Sequence, residues 1–266
     1  MTANFDFSGK TVFVFGGTSG INLGIAKSFA AAGADVSVAS RSQEKVDATV
    51  AALKELGSDA SGYALDVRDH EAVTAALEHF NKPIDVLISG AAGNFPALAK
   101  DLSPNGFKSV VDIDLLGSFH VLKAALPYLK KPGASVVNIS APQAFLAMPA
   151  QAHVCAAKAG VDMLTRTLAL EWGPVGIRVN SIAPGPIADT EGMRRLAPTE
   201  AIEKQVAMSV PLQRFGQAEE IGNAAMFLSS DAGAYVSGVV LPVDGGWAVA
   251  GASAAALQMA QVMPRE

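Results

Sequence analysis

The chain has 266 residues, half of them hydrophobic and 17% charged, with a formal net charge of −5 and one cysteine, Cys155. That length and apolar share allow a large core in a single α/β domain, while the acidic balance excludes phosphate-backbone binding to nucleic acid as a main activity. One cysteine excludes an internal disulfide, no apolar run reaches the ~18 residues of a spanning helix, and no metal site is expected.

The N-terminus, Met1-Thr2-Ala3-Asn4-Phe5-Asp6, has neither a basic region nor an apolar core, so no signal peptide is expected. Thr11 to Phe15 is a short β-branched and aromatic run, which predicts a strand buried on both faces. Gly16-Gly17-Thr18-Ser19-Gly20 follows, and then a helical pattern from Ile21 to Ala32 closed by Gly33. Further strands are predicted at 35–39, 62–65, 84–89, 134–140, 177–182 and 238–243. Helices are predicted at 43–56, 70–80, about 104–127, about 155–172 and about 217–229. Strands alternating with helices imply right-handed crossovers and one parallel sheet, a Rossmann-like doubly wound domain. The stretch from Ala188 to Pro211 lacks a strand and follows Pro184-Gly185-Pro186, which predicts a helical lid over the carboxyl edge of the sheet. The tail, about 248–266, is rich in Ala, Gly and Met, fits packing on another subunit, and ends in Pro264-Arg265-Glu266, without a peroxisomal address of the Ser-Lys-Leu type. A soluble cytoplasmic protein is expected, with no membrane partner.

Gly16-x-x-x-Gly20 after a strand and before a helix suits a dinucleotide. Glycines let the backbone approach a pyrophosphate, and the helix N-terminus offers free N–H groups. At the end of the second strand, Ser40-Arg41 has no acidic residue to grip a ribose 2′-hydroxyl. Arg41 suits a 2′-phosphate instead, so NADP(H) is the expected cofactor. Asp66, after the third strand, is placed to accept from an adenine amino group, and Ala91 lies in a small-residue stretch where a ribose can pass.

Gly16-x-x-x-Gly20, Asp66, Ala91-x-Gly93, Asn138-Ile139-Ser140, Lys158, Pro184-Gly185 and Asp244-Gly245-Gly246 together resemble the short-chain dehydrogenase/reductase family, from about residue 7 to 247. The resemblance implies a seven-stranded sheet ordered 3-2-1-4-5-6-7, commonly a homotetramer, and NADP held by Gly16, Thr18, Ser19, Gly20, Ile21, Asn22, Ser40, Arg41, Asp66, Val67, Ala91, Lys158, Pro184, Gly185, Ile187 and Thr190. The family's usual tyrosine and serine fall here at Val154 and Ala141, and neither can donate a proton. Its usual asparagine falls at Asp114, and the third glycine of its phosphate loop at Asn22, whose bulk puts the loop's packing in question.

One branch of the family lacks that tyrosine. The chain is similar to its peroxisomal-type 2,4-dienoyl-CoA reductases at Ala91-Ala92-Gly93-Asn94-Phe95, Asp112-Ile113-Asp114, His153, Thr190 to Leu196 and Pro211 to Arg214. That similarity implies Asp114 as acid and Lys158 as ribose holder, with Arg41, Arg68, Phe95, Ser103, Asn105 and Arg195 meeting an acyl-CoA thioester. Hydride adds to the far end of the diene, so the site needs donors at the thioester oxygen and a proton for carbon. An acid at Asp114 needs burial to raise its pKa. Asp112, two residues away, falls on another helix face. His153 fits a proton relay or a packed side chain. A catalytically silent nucleotide-binding protein and a reductase of another conjugated carbonyl remain open at this stage.

Overall fold

In Thr11–Phe15 every residue after the first is buried, and the period of two divides them between the faces of a sheet. Val12 and Val14 join one apolar cluster, Phe13 and Phe15 a second. Val86, Ile88 and Leu87 divide in the same way. A strand covered on both faces belongs to a parallel sheet. The computed structural model, which describes residues 5–250, contains that sheet.

Its seven strands are β1 (Thr11–Phe15), β2 (Asp35–Ser40), β3 (Ser61–Ala64), β4 (Val86–Ser89), β5 (Ser135–Ile139), β6 (Arg178–Pro184) and β7 (Val240–Val243). All pairings are parallel, in the order β3-β2-β1-β4-β5-β6-β7, as expected from the family resemblance. The order reverses between β1 and β4, where Phe15 pairs with Ser89, and ligands of such sheets bind at that crevice.

The helices in chain order are α1 (Gly20–Ala31), α2 (Gln43–Glu55), α3 (His70–Phe80), α4 (Pro104–Val111), α5 (Gly117–Ala125), α6 (Ala152–Trp172), α7 (Glu191–Leu196), α8 (Glu200–Ser209), α9 (Ala218–Ser229) and α10 (Trp247–Ala250). Ile25 and Phe29 of α1, Leu53 of α2 and Ile221 and Leu228 of α9 cover one face of the sheet. Leu77 of α3, Leu122 of α5 and Leu168 and Trp172 of α6 cover the other. Ile25, Phe29, Leu53, Leu77 and Leu122 are fully buried, and each such side chain stabilises the fold by roughly 1.5–3 kcal/mol.

The helix expected over 104–127 is interrupted. Asp112–Leu116 forms a π-helical turn between α4 and α5, a wider turn that often marks a functional site. Gly117 makes the resumption possible, because a Cβ there would lie 2.6 Å from Cγ2 of Val67. Several boundaries also differ from expectation by one to three residues, and two of them bear on the site. Helix α6 begins at Ala152, three residues early, and β3 ends at Ala64, which leaves Asp66 in the following loop. The segment expected to form the lid holds α7 and α8, each started by a threonine whose hydroxyl accepts a backbone N–H. An Ile187–Gly216 bridge closes its base. From residue 251 on, the tail with its expected subunit packing lies outside the described residues.

Candidate active site

The turn after β1 has the backbone that a phosphate loop requires. Gly16 and Gly20 adopt φ of 78° and 52°, the left-handed region open to glycine. A Cβ on Gly16 would sit 2.8 Å from the Ala91 nitrogen, so the loops after β1 and β4 touch only because it is absent. Helices α2 and α3 are capped by Ser42 and Asp69, whereas Ser19 gives α1 no side-chain cap and its first turn holds no acid. Open N–H groups, a positive helix end and a glycine cradle fit a pyrophosphate. Asn22 does not obstruct it. Its Nδ2 donates to the Gly90 carbonyl at 2.7 Å, and a Cβ on Gly90 would lie 2.3 Å from its Oδ1. The side-chain volume gained at 22 is taken up by a glycine across the crevice.

At the far end of β2, the Ser40 carbonyl accepts from Leu65 and Arg41 is exposed, paired with no carboxylate among the described residues. Arg68 occupies Asp66, donating through Nη2 to Oδ2 at 2.6 Å and through its backbone N–H to Oδ1. This hydrogen-bonded partner holds the Asp66 carboxyl below the usual carboxylate range. Two residues expected to meet different ligands, Asp66 an adenine by its position and Arg68 a CoA by resemblance, thus form one pair. The side chains of Val67 and Ile187 are core, at 7% and 2% exposure, so only their backbones can face a nucleotide. Ile21 packs against the same core as Ile187. Pro184 ends β6, Gly185 abuts Asp244, and Thr190 closes over the phosphate loop, with its Cγ2 3.6 Å from a Cβ built on Gly20. Thr18 is buried and Ser19 exposed in that loop.

Asp114 and Lys158 meet below this crevice. The π turn carries Asp114 inward to 1% exposure, its Oδ1 accepting the Gly93 N–H at 2.7 Å and its Oδ2 lying 3.2 Å from Lys158 Nζ. Lys158, 5% exposed, also donates to the Ile139 carbonyl at 3.0 Å. An ammonium has three donors, and the Ile139 carbonyl is the one hydrogen-bond acceptor it meets among the described residues, so donor capacity remains for a ligand. Asp112, by contrast, faces Lys108 on the outer side, as its helical phase requires. Asp162, missed in the sequence, lies one turn beyond Lys158 at 3% exposure. Burial pushes its carboxyl above the ordinary range, opposed by Ser140 and by the charges of Arg166 and Lys158. Its four-residue spacing from Lys158 on a helix was the available signal.

Val154, at the usual tyrosine position, packs with Val110, Ala157 and Phe95. Ala141 precedes a short 3-10 turn and offers no hydroxyl. Phe95 stacks edge-on against His153 at 4.7 Å. Arg195 reaches from the lid to the Asn94 carbonyl at 2.9 Å while paired with Glu191. Ser103 caps α4 by accepting from Gly106, and Asn105 is exposed on that helix. The structure therefore gathers Phe95 and Arg195 at the loop after β4, leaves Arg41 and Arg68 at the nucleotide end, and gives Ser103 a capping task.

A parallel sheet with this order, a glycine cradle at its switch point and a buried lysine at its carboxyl edge define a dinucleotide-dependent oxidoreductase scaffold. The chain belongs to the short-chain dehydrogenase/reductase family: residues 16–248 match the family described as Enoyl-(Acyl carrier protein) reductase. It is 46% identical to a peroxisomal 2,4-dienoyl-CoA reductase, (3E)-enoyl-CoA-producing, from Arabidopsis thaliana, across 90% of this chain and 84% of that one. It is 44% identical to a protein of the same description from Saccharomyces cerevisiae, again across 90% and 84%. The solved gluconate 5-dehydrogenase of Burkholderia cenocepacia, in complex with NADP and tartrate, superposes with a TM-score of 0.86 at 30% identity, over 92% of this chain and 98% of that one.

Proposed function

We propose that the protein reduces 2,4-dienoyl-CoA thioesters with NADPH. The observation that carries this reading is the buried Asp114–Lys158 pair beside Val154, a site that keeps its ribose-binding cation and has lost its hydroxyl acid. NADPH bound along the cradle supplies hydride. The chain's own residues supply the rest. The free donor of Lys158 holds the nicotinamide ribose, Arg41 meets the 2′-phosphate, and Phe95 and Arg195 flank the acyl-CoA. In this reading Asp114, paired with Lys158 at rest, takes up a proton from water and delivers it to carbon, directly or through a water. A carbonyl that became an alcohol would need a donor at its oxygen that ends bonded to it, and Val154 and Ala141 remove that donor. Conjugated thioesters suit the site because their proton goes to carbon. The names of the Arabidopsis and yeast relatives support the same substrate class. Both are named peroxisomal, so the cytoplasmic location expected from the sequence belongs to this reading and not to the family assignment.

The test is NADPH oxidation with 2,4-hexadienoyl-CoA, run beside simple ketones and beside NADH. We expect turnover of the dienoyl thioester, a preference for NADPH that Arg41→Ala abolishes, and ketone turnover lower by at least the ~10²–10⁴-fold worth of a general acid. Binding of NADPH with no turnover of any conjugated thioester would instead indicate the silent homologue.

A further inference from the structure

We propose that His153 is the hydrogen-bond donor to the thioester oxygen of the bound substrate. The proposal rests on the dienoyl-CoA reading above and names the group that stabilises the charge which that reaction builds. His153 is 0% exposed, and neither ring nitrogen has a partner among the described residues. Buried polar side chains are ordinarily satisfied, and an unsatisfied one signals a ligand, a water or strain. Its surroundings select the ligand. The ring meets Phe95 edge-on at 4.7 Å, and Phe95 lies two residues after Gly93, whose amide grips Asp114. The intervening Asn94 also has a buried, unpartnered Oδ1, and its carbonyl is held by Arg195 of the lid. Unmet polar atoms therefore cluster between the catalytic pair and the lid.

Most other donors nearby are engaged elsewhere. The Gly93 N–H is taken by Asp114, and Lys158 donates to the Ile139 carbonyl while ion-paired with Asp114. Gln143 donates to Gln151 and the sulfur of Met148. Ser140 Oγ is buried without a partner at hydrogen-bond geometry and lies against Asp162, whose carboxyl it influences. Val154 and Ala141 have no hydroxyl. Of the unmet donors, Ser140 lies against Asp162, whereas the imidazole N–H lies beside Phe95 and one residue from the position vacated by the tyrosine. It keeps its proton throughout and acts only by holding the oxygen as negative charge moves onto it.

His153→Phe fills the space without a donor, and His153→Gln keeps an N–H. Three readouts separate function from structure: kcat against KM for 2,4-hexadienoyl-CoA, the absorbance of that thioester bound with NADP+, and the Tm of the free protein. In the parent, the bound dienoyl band shifts to the red because its carbonyl is polarised. In His153→Phe we expect that shift to vanish and kcat to fall about 10²–10³-fold, as for loss of one oxyanion donor, with KM within a few-fold. His153→Gln should recover part of both. The Tm of His153→Phe should equal or exceed the parent's, because an unsatisfied buried group has been removed. A red shift retained in His153→Phe with kcat within threefold would overturn the proposal, as would a lowered Tm that accounts for the lost activity. A parent that leaves 2,4-hexadienoyl-CoA unreduced overturns the functional reading itself, a result distinct from an active parent indifferent to His153.

Discussion

Lys158 keeps a cation almost out of water, at 7% side-chain exposure, because the Ile139 carbonyl and the Asp114 carboxylate both meet it. Removing one member of a buried pair leaves an uncompensated charge, at a cost of about 3–5 kcal/mol. Lys158→Ala is therefore expected to lose stability by that amount in urea titrations and to bind NADPH more weakly by fluorescence. Asp114→Asn keeps an oxygen for the Gly93 amide and turns the amide nitrogen, a donor, toward the ammonium. It is expected to lower dienoyl-CoA turnover by about 10²–10⁴-fold and to lose stability, with the fold retained by circular dichroism. Turnover within a few-fold of the parent would reassign Asp114 to structure. Lys158 and Asp114 were legible in the sequence because their spacing and residue types match a family pattern. The unmet nitrogens of His153 were not, because they depend on what the distant Phe95 loop brings beside them. The Asp66–Arg68 pair was hidden for a different reason: each residue had a plausible separate ligand.

At the scale of elements, α1 and α9 cross at two points where a glycine of one helix faces a small side chain of the other. A Cβ on Gly24 would lie 2.4 Å from Ala218 Cβ, and one on Gly222 would lie 2.1 Å from Ser28 Oγ. Gly222→Val is expected to lower stability by about 1–3 kcal/mol, the cost of overpacking, as a shift in the urea midpoint. The start of α9 is held by Glu220, which accepts the Gln217 N–H at 2.8 Å and pairs with Arg214 at 2.7 Å. Those contacts, Arg214 first, hold its carboxyl down at about 2 from an ordinary 4.5. The folded state thus binds this proton less readily than the unfolded chain, so the contribution is complete above pH 4.5 and is lost as pH falls through about 2. With Glu220 41% exposed, the contribution is about 1 kcal/mol at most. The stability gap between parent and Glu220→Gln should close across that window. The alternation that divides Val12 from Phe13 made the strands readable in advance. The π turn was not readable, since Asp112–Leu116 continues the apolar period of its neighbours and the wider turn is imposed by the inward pull of Gly93 and Lys158 on Asp114.

For the whole molecule, the expected homotetramer remains a proposal, and the outer faces of α5 and α6 are where it acquires a physical basis. Leu116 and Phe119, at 44% and 42% exposure, point outward at the start of α5, and Met163 and Leu170, at 58% and 81%, lie one heptad apart on α6. Ala152, Ala156 and Ala159 extend that stripe with small residues. Single exposed apolar residues are ordinary; a stripe of them on neighbouring helices marks a surface that another protein covers. A second copy of the chain suits it, because a run of small residues leading into Met and Leu allows two such helices to pack closely in a symmetric pair. Light scattering should therefore give a mass of at least twice the 27.3 kDa protomer. Leu170→Glu combined with Phe119→Glu should release protomers, since each charge would have to be buried without a partner. Because the interface would press on α6, which carries Lys158, and on α5, which follows the turn carrying Asp114, the released protomers should also bind NADPH more weakly. A parent that is monomeric at micromolar concentration, or a double variant with unchanged mass, would leave this apolar stripe without its proposed occupant.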